Sequence, residues 1–164
     1  METTREMPKI DSKTLASYIL YKYGQMSHLK LQKLVYFVEG YHLAYFNCSL
    51  VDDDFEAWAH GPVSRVLYNE LKDKAILYGN IRYDLEEGDT SPITILEEKL
   101  FISQIEIINE VIELYIAESG ITLEGITHQQ TPWIIARGDL LPHVKCSNKI
   151  DKQLMKEYFS NLLN

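Results

Sequence analysis

Glu39-Gly40-Tyr41-His42 spells Glu-x-x-His, a spacing that puts a carboxylate and an imidazole on one face of a helix. Carboxylate-bridged di-iron bundles use two such motifs with two further glutamates. No second Glu-x-x-His occurs, so the pattern points away from a metal. His60 and His128 are the other candidate bases, because a Ser-His-Asp or Cys-His site is assembled in space rather than in sequence. No glycine-rich phosphate loop, Gly-x-Ser-x-Gly or His-Glu-x-x-His accompanies them. A small hydrolase using His60 or His128 as base is therefore the enzymatic alternative. No catalytic residue, metal ligand or cofactor is assigned. Cys48 and Cys146 stand far apart, neither in a Cys-x-x-Cys pair, and read as free thiols.

The remaining chemistry is that of recognition. Trp58, His60, His128 and Trp133 carry polar handles that find a hydrogen-bond partner when buried, in a core or around a pocket. Lys30 and Lys33 fall inside an apolar helical arc, where a lysine either reaches out to solvent or pairs with an acid. Gly61-Pro62 reads as a turn followed by a helix start, whose free N–H groups could receive an anion.

These residues need elements to position them. Residues 1–9 read as a loose arm ending near Pro8. Asp11 or Ser12 should cap a first helix that stops at Gly24. Ser27 should cap the central helix, about 27–46. On it, His28, Gln32, Glu39 and His42 form one narrow stripe, read as a solvated face, while apolar residues cover most of the remaining circumference. A short strand is expected near 55–59, then a helix from Pro62 burying Val63, Val66, Leu67 and Leu71. Ile76, Tyr78, Ile81 and Tyr83 suggest a small β element near 75–95. A long helix should run from Leu96 to Glu118 and end at Ser119-Gly120, with a short helix or turn after Thr122. Thr131-Pro132 should open another, and an amphipathic helix near 151–163 should bury Leu154, Tyr158, Leu162 and Leu163. The expected fold is mainly α, one compact helical domain around the central helix.

The chain has 164 residues and a formal net charge of −8. That length suits one core. The charge argues against a protein that coats nucleic acid and suits a basic protein partner. Met1 to Lys9 carries no apolar run of the secretory kind, and no stretch suits a bilayer span, so a cytoplasmic location is expected, away from membranes.

Three stretches together resemble the Panacea (SocA-like) antitoxin domain: Lys30-Leu31-Gln32-Lys33-Leu34-Val35-Tyr36-Phe37, then Ala57-Trp58-Ala59-His60-Gly61-Pro62-Val63, then Thr127-His128 with Pro132-Trp133 and Ala136-Arg137. The resemblance spans roughly residues 11–160, making residues 10–164 one Panacea-like domain. It implies a bacterial or phage antitoxin encoded beside a toxin, which many members neutralise by direct protein contact. The SocA-like branch is associated with delivery of its toxin to a protease, so a cellular protease is a second partner to consider. The long helix's second apolar face makes a homodimer seam a third. Some relatives carry an added DNA-binding segment, for which this chain has no room outside the domain. The candidate binding residues, each with a structural role as its plainer reading, are Lys30, Lys33, Tyr36, Trp58, His60, Gly61, Pro62, His128, Trp133 and Arg137.

Overall fold

The computed structural model describes residues 6–163. The first helix, α1 (Ser12–Tyr23), opens where Asp11 accepts the Thr14 N–H at 2.7 Å and closes at Gly24, φ 95°. Both ends follow the expected capping chemistry. A two-residue strand, β1 (Met26–Ser27), leads into α2 (His28–Phe46). Ser27 caps α2 through the Lys30 N–H at 3.0 Å, and Asn47 ends it in the left-handed region, φ 60°.

A hairpin follows, β2 (Phe55–Trp58) and β3 (Gly61–Ser64), paired antiparallel with Ala57 opposite Pro62. Next come α3 (Arg65–Leu71) and β4 (Asn80–Ile81), which pairs antiparallel with β1. The rest is helical: α4 (Pro92–Lys99), α5 (Ile102–Tyr115), α6 (Gly120–Thr127), α7 (Thr131–Arg137) and α8 (Lys152–Leu162). The fold is mainly α, with eight helices and two small antiparallel sheets among the described residues.

Helix α2 is the axis of the core. Every residue from His28 to Leu43 except Lys30 is buried. α1, α5, α6, α8 and β3 all pack against it. Gly40 makes one of these contacts possible, because a Cβ there would run into the Phe159 ring of α8. Phe159 in turn packs against Tyr36, Phe37 and Tyr41. Burial on this scale supplies the main driving force for the fold.

Several expectations are corrected. The stripe of His28, Gln32, Glu39 and His42 is not solvated; all four are fully buried. Three face loop backbone that needs partners, and Gln32 faces the last residue of β3. His28 Nδ1 meets the Ala75 carbonyl at 3.1 Å, and His42 Nδ1 meets that of Cys48 at 2.7 Å. Glu39 accepts the N–H groups of Leu50 and Val51 and an ion pair from Lys152 at 2.8 Å. Gln32 reads both backbone groups of Ser64, accepting its N–H at 3.0 Å and donating to its carbonyl at 3.3 Å. A helical wheel cannot tell a stripe facing water from one facing buried loops that also need hydrogen bonds.

Pro62 does not start a helix. It lies in β3, and α3 begins at Arg65 under a Ser64 cap, which leaves Val66 exposed. No helix therefore starts at Gly61-Pro62 to offer free N–H groups to an anion. The long helix from Leu96 is two: α4 ends at Leu100, extended and buried, and Gln104 accepts the Phe101 N–H to start α5. α6 starts at Gly120, capped by Ser119, rather than after Thr122. Gln130, not Thr131, is the N-cap of α7. α8 buries Met155 and Phe159, while Leu162 and Leu163 stay exposed.

Within the arm expected over 1–9, Pro8 and Lys9 have partners. Pro8 accepts from Gln104, Lys9 pairs with Asp52, and the Ile10 N–H reaches the Leu50 carbonyl. Residues 1–5 lie outside the described residues.

Candidate functional site

The three motif stretches converge on the β2–β3 hairpin, and five of their polar side chains bond its backbone. The carbonyls of Ala57, Trp58 and Ala59, three in succession, accept from Arg137 Nη1, Trp133 Nε1 and His128 Nε2, each at 2.8 Å. From the other side Lys33 Nζ donates to the Pro62 carbonyl at 3.0 Å, next to the Gln32 clamp on Ser64. Five side chains from α2, α6 and α7 thus fasten one hairpin through its main chain. An extended strand with so many donors on its carbonyls has little freedom to shift.

Lys33 is the costliest of these groups. Its side chain is wholly buried and neither reaches solvent nor pairs with an acid, against both expectations for it. Burial lowers its amine from the ordinary 10.5 to about 7, with Glu124 pulling weakly the other way. Gly61 lies directly over it. With φ 91°, Gly61 occupies backbone space that disfavours side chains, and a Cβ there would stand 2.6 Å from both Lys33 Cε and Thr127 Oγ1.

Lys30 is placed apart from the hairpin. It donates to the Ile116 carbonyl, satisfying the C-terminal end of α5, and burial lowers its amine against the pull of Glu118. Tyr36 is buried among Phe55, Phe37 and Phe159, with its hydroxyl 3.4 Å from Gln130 Oε1. Burial drives its phenol pKa upward.

Arg137 joins the hairpin to the loop after α7. Nη2 donates to the carbonyls of Leu141 and Val144, each at 2.6 Å, and the guanidinium lies over the Trp133 ring. Downstream, the chain runs along the free edge of β2: the Ala57 N–H reaches the Asn148 carbonyl at 2.8 Å, and the Ile150 N–H reaches that of Phe55 at 2.7 Å. Hairpin and loop enclose a groove of about 520 Å³, with Trp58, Tyr68 and Arg65 on one wall and His143, Lys145 and Cys146 on the other.

The two candidate bases are separately engaged. His128 stacks on Trp133, with ring centroids 4.3 Å apart, and its Nε2 is held on the Ala59 carbonyl. His60 Nδ1 lies 3.0 Å from the Tyr78 hydroxyl and 3.5 Å from Glu124. Among the described residues no Ser or Thr hydroxyl and no thiol is hydrogen-bonded to either ring. Glu39 and His42 are likewise committed to different loops, and no group of three His, Cys, Asp or Glu side chains among the described residues could hold a metal ion. Among the described residues no helix is long and apolar enough to cross a membrane.

Sequence reasoning missed Arg65, Tyr68, His143 and Lys145, which carry no motif and meet only through the loop's return along β2. Gln32 was legible as a position in the first motif, but its role depends on a hairpin more than thirty residues away.

A family model described as "Antitoxin SocA-like, Panacea domain" matches residues 31–134. That range contains eight of the ten candidate residues; Lys30 and Arg137 fall just outside it. The chain is 38% identical over 92 residues to the protein named Antitoxin SocA of Caulobacter vibrioides (strain NA1000 / CB15N). The match covers 52% of this chain and 49% of that protein, so the chain spans about half the length of this relative. No solved structure matches the chain.

Proposed function

The chain belongs to the family of SocA-like antitoxins with a Panacea domain, and from that premise we propose that it is an antitoxin that neutralises a toxin by binding it directly. The observation that carries the reading is the hairpin fastened at five backbone points by motif side chains from α2, α6 and α7. A binding surface gains affinity when its backbone is fixed before the partner arrives, because little ordering entropy is left to lose on association. Helix α2 is the scaffold, the hairpin and its groove are the presented face, and residues 10–164 act as one unit. Trp58 and His60 contact the partner; Lys33, Gly61, Pro62, His128, Trp133 and Arg137 hold the face in shape. Lys30 and Tyr36 support it from the core.

Purification of this chain with the product of the adjacent gene tests the reading. A complex that co-elutes at fixed stoichiometry is expected, and Trp58→Ala, on the face itself, should weaken it while leaving the circular dichroism spectrum unchanged. A neighbour that poisons cells and is relieved by this chain without forming a stable complex would favour delivery to a protease instead.

A further inference from the structure

The groove beside the hairpin differs in charge from the molecule as a whole. The chain carries −8, yet no residue lining the groove is acidic. Arg65, Lys145, His60 and His143 line it, over a floor that includes Trp58 and Tyr68, whose rings meet edge to face at 5.0 Å. Two carboxylates approach from outside. Glu56 takes the Arg65 guanidinium at 2.9 Å, and Glu124 lies 3.5 Å from His60. Lys145 and His143 have no hydrogen-bond or ion-pair partner among the described residues, and both are exposed on the loop that Arg137 anchors. Nor does any backbone hydrogen bond among the described residues engage Lys145 or Ser147, so the wall offers main-chain donors and acceptors as well as charge.

We propose that this groove docks an acidic, extended segment of the toxin, with its carboxylates on Lys145 and Arg65 and its main chain along Lys145–Ser147. The proposal rests on the antitoxin reading above. Charge complementarity selects this occupant: Arg65 is already paired with Glu56, but a basic segment would meet the unpaired ammonium of Lys145, and a purely apolar one would strand it. The aromatic floor supplies the buried contact that a peptide's aliphatic stems can cover. The acidic remainder of the surface still favours a partner whose body is basic, which makes an acidic segment on such a partner the discriminating feature.

Two measurements test this. In the first, the protein is titrated with hexaglutamate and with hexalysine while the Trp58 indole and the Lys145 and Ser147 amide resonances are followed. Hexaglutamate should shift all three and hexalysine none; no shift, or equal shifts, overturns the proposal. If diluting the free protein moves the same resonances, a second copy is the occupant and the proposal also falls. In the second, the affinity for the purified product of the adjacent gene is compared across wild type, His143→Glu/Lys145→Glu and the distant control Lys99→Glu. The double reversal sits on exposed side chains without partners and should weaken binding about tenfold or more, while the control changes little. An unchanged affinity in the double variant overturns groove docking and leaves the antitoxin reading standing. A wild type that does not bind the product removes both, whereas the peptide titration reports on the groove alone.

Discussion

At the scale of single residues, Gly61 lies so close over Lys33 that position 61 has no room for a side chain. A β-branched side chain at position 61 would need both a left-handed backbone and space that Lys33 and Thr127 already fill. Gly61→Val is therefore expected to lower unfolding free energy by about 3 kcal/mol in urea titrations, before any loss of recognition is read out. Lys33 makes a prediction with a definite sign. Below pH about 7 its ammonium is charged folded and unfolded, and the full burial penalty is present. As pH rises from about 7 towards 10.5, the folded amine has shed its proton while the unfolded one still holds it, so stability rises. The slope approaches about 1.4 kcal/mol per pH unit for one such group. Lys33→Met should abolish this rise, read as the difference between the two proteins' stability curves across that window. A parallel pair of curves would mean that Lys33 stays charged and finds compensation. The sequence exposed Lys33 as a lysine in an apolar arc but could not show its acceptor, because the Pro62 carbonyl comes from a strand that the Gly-Pro pattern disguised as a helix start.

At the scale of elements, α8 and the hairpin are attached by charges that local pattern does not display. Lys152 ties α8 to buried Glu39 on α2 and to the Ser49 hydroxyl and Val51 carbonyl of the intervening loop. Burial pushes the Glu39 carboxyl up, while Lys152 and the Leu50 and Val51 N–H groups pull it down. Lys152→Ala strands that carboxylate and should cost about 3–5 kcal/mol at neutral pH. Burial already raises the folded carboxyl above its unfolded value, and losing Lys152 raises it further, so part of the loss should return as pH falls and Glu39 protonates. Guanidine melts at two pH values would show this, and a loss independent of pH would contradict it. Arg137→Lys keeps the charge but not the fork that spans Ala57, Leu141 and Val144, and should cost about 2 kcal/mol while loosening the 138–147 loop in hydrogen exchange. Two helix starts were legible, because Asp11 and Ser27 cap where their types suggested. The break between α4 and α5 was not, since Leu100-Phe101 continues the apolar period and only the backbone shows the interruption.

At the scale of the whole molecule, one nearly all-buried helix organises a mainly helical fold, and three separated sequence motifs meet at one hairpin. The convergence explains why no motif alone is informative: the first and third supply donors, and the second is the strand pair whose carbonyls accept them. The mainly α class and the central helix were legible, because period and capping are local properties. The groove was not, because its two walls are joined by the return of residues 148–150 along β2 and by the Arg137 fork, both long-range contacts. The proposed partner is a toxin, and what is proposed for it is neutralisation by direct contact rather than by turnover. The most direct test induces the adjacent gene with and without this chain, and follows growth together with the amount of the neighbour's product in the same cells. Restored growth with that product still present at its original level is the predicted result. Growth that stays arrested, or that recovers only as the product disappears, would contradict it.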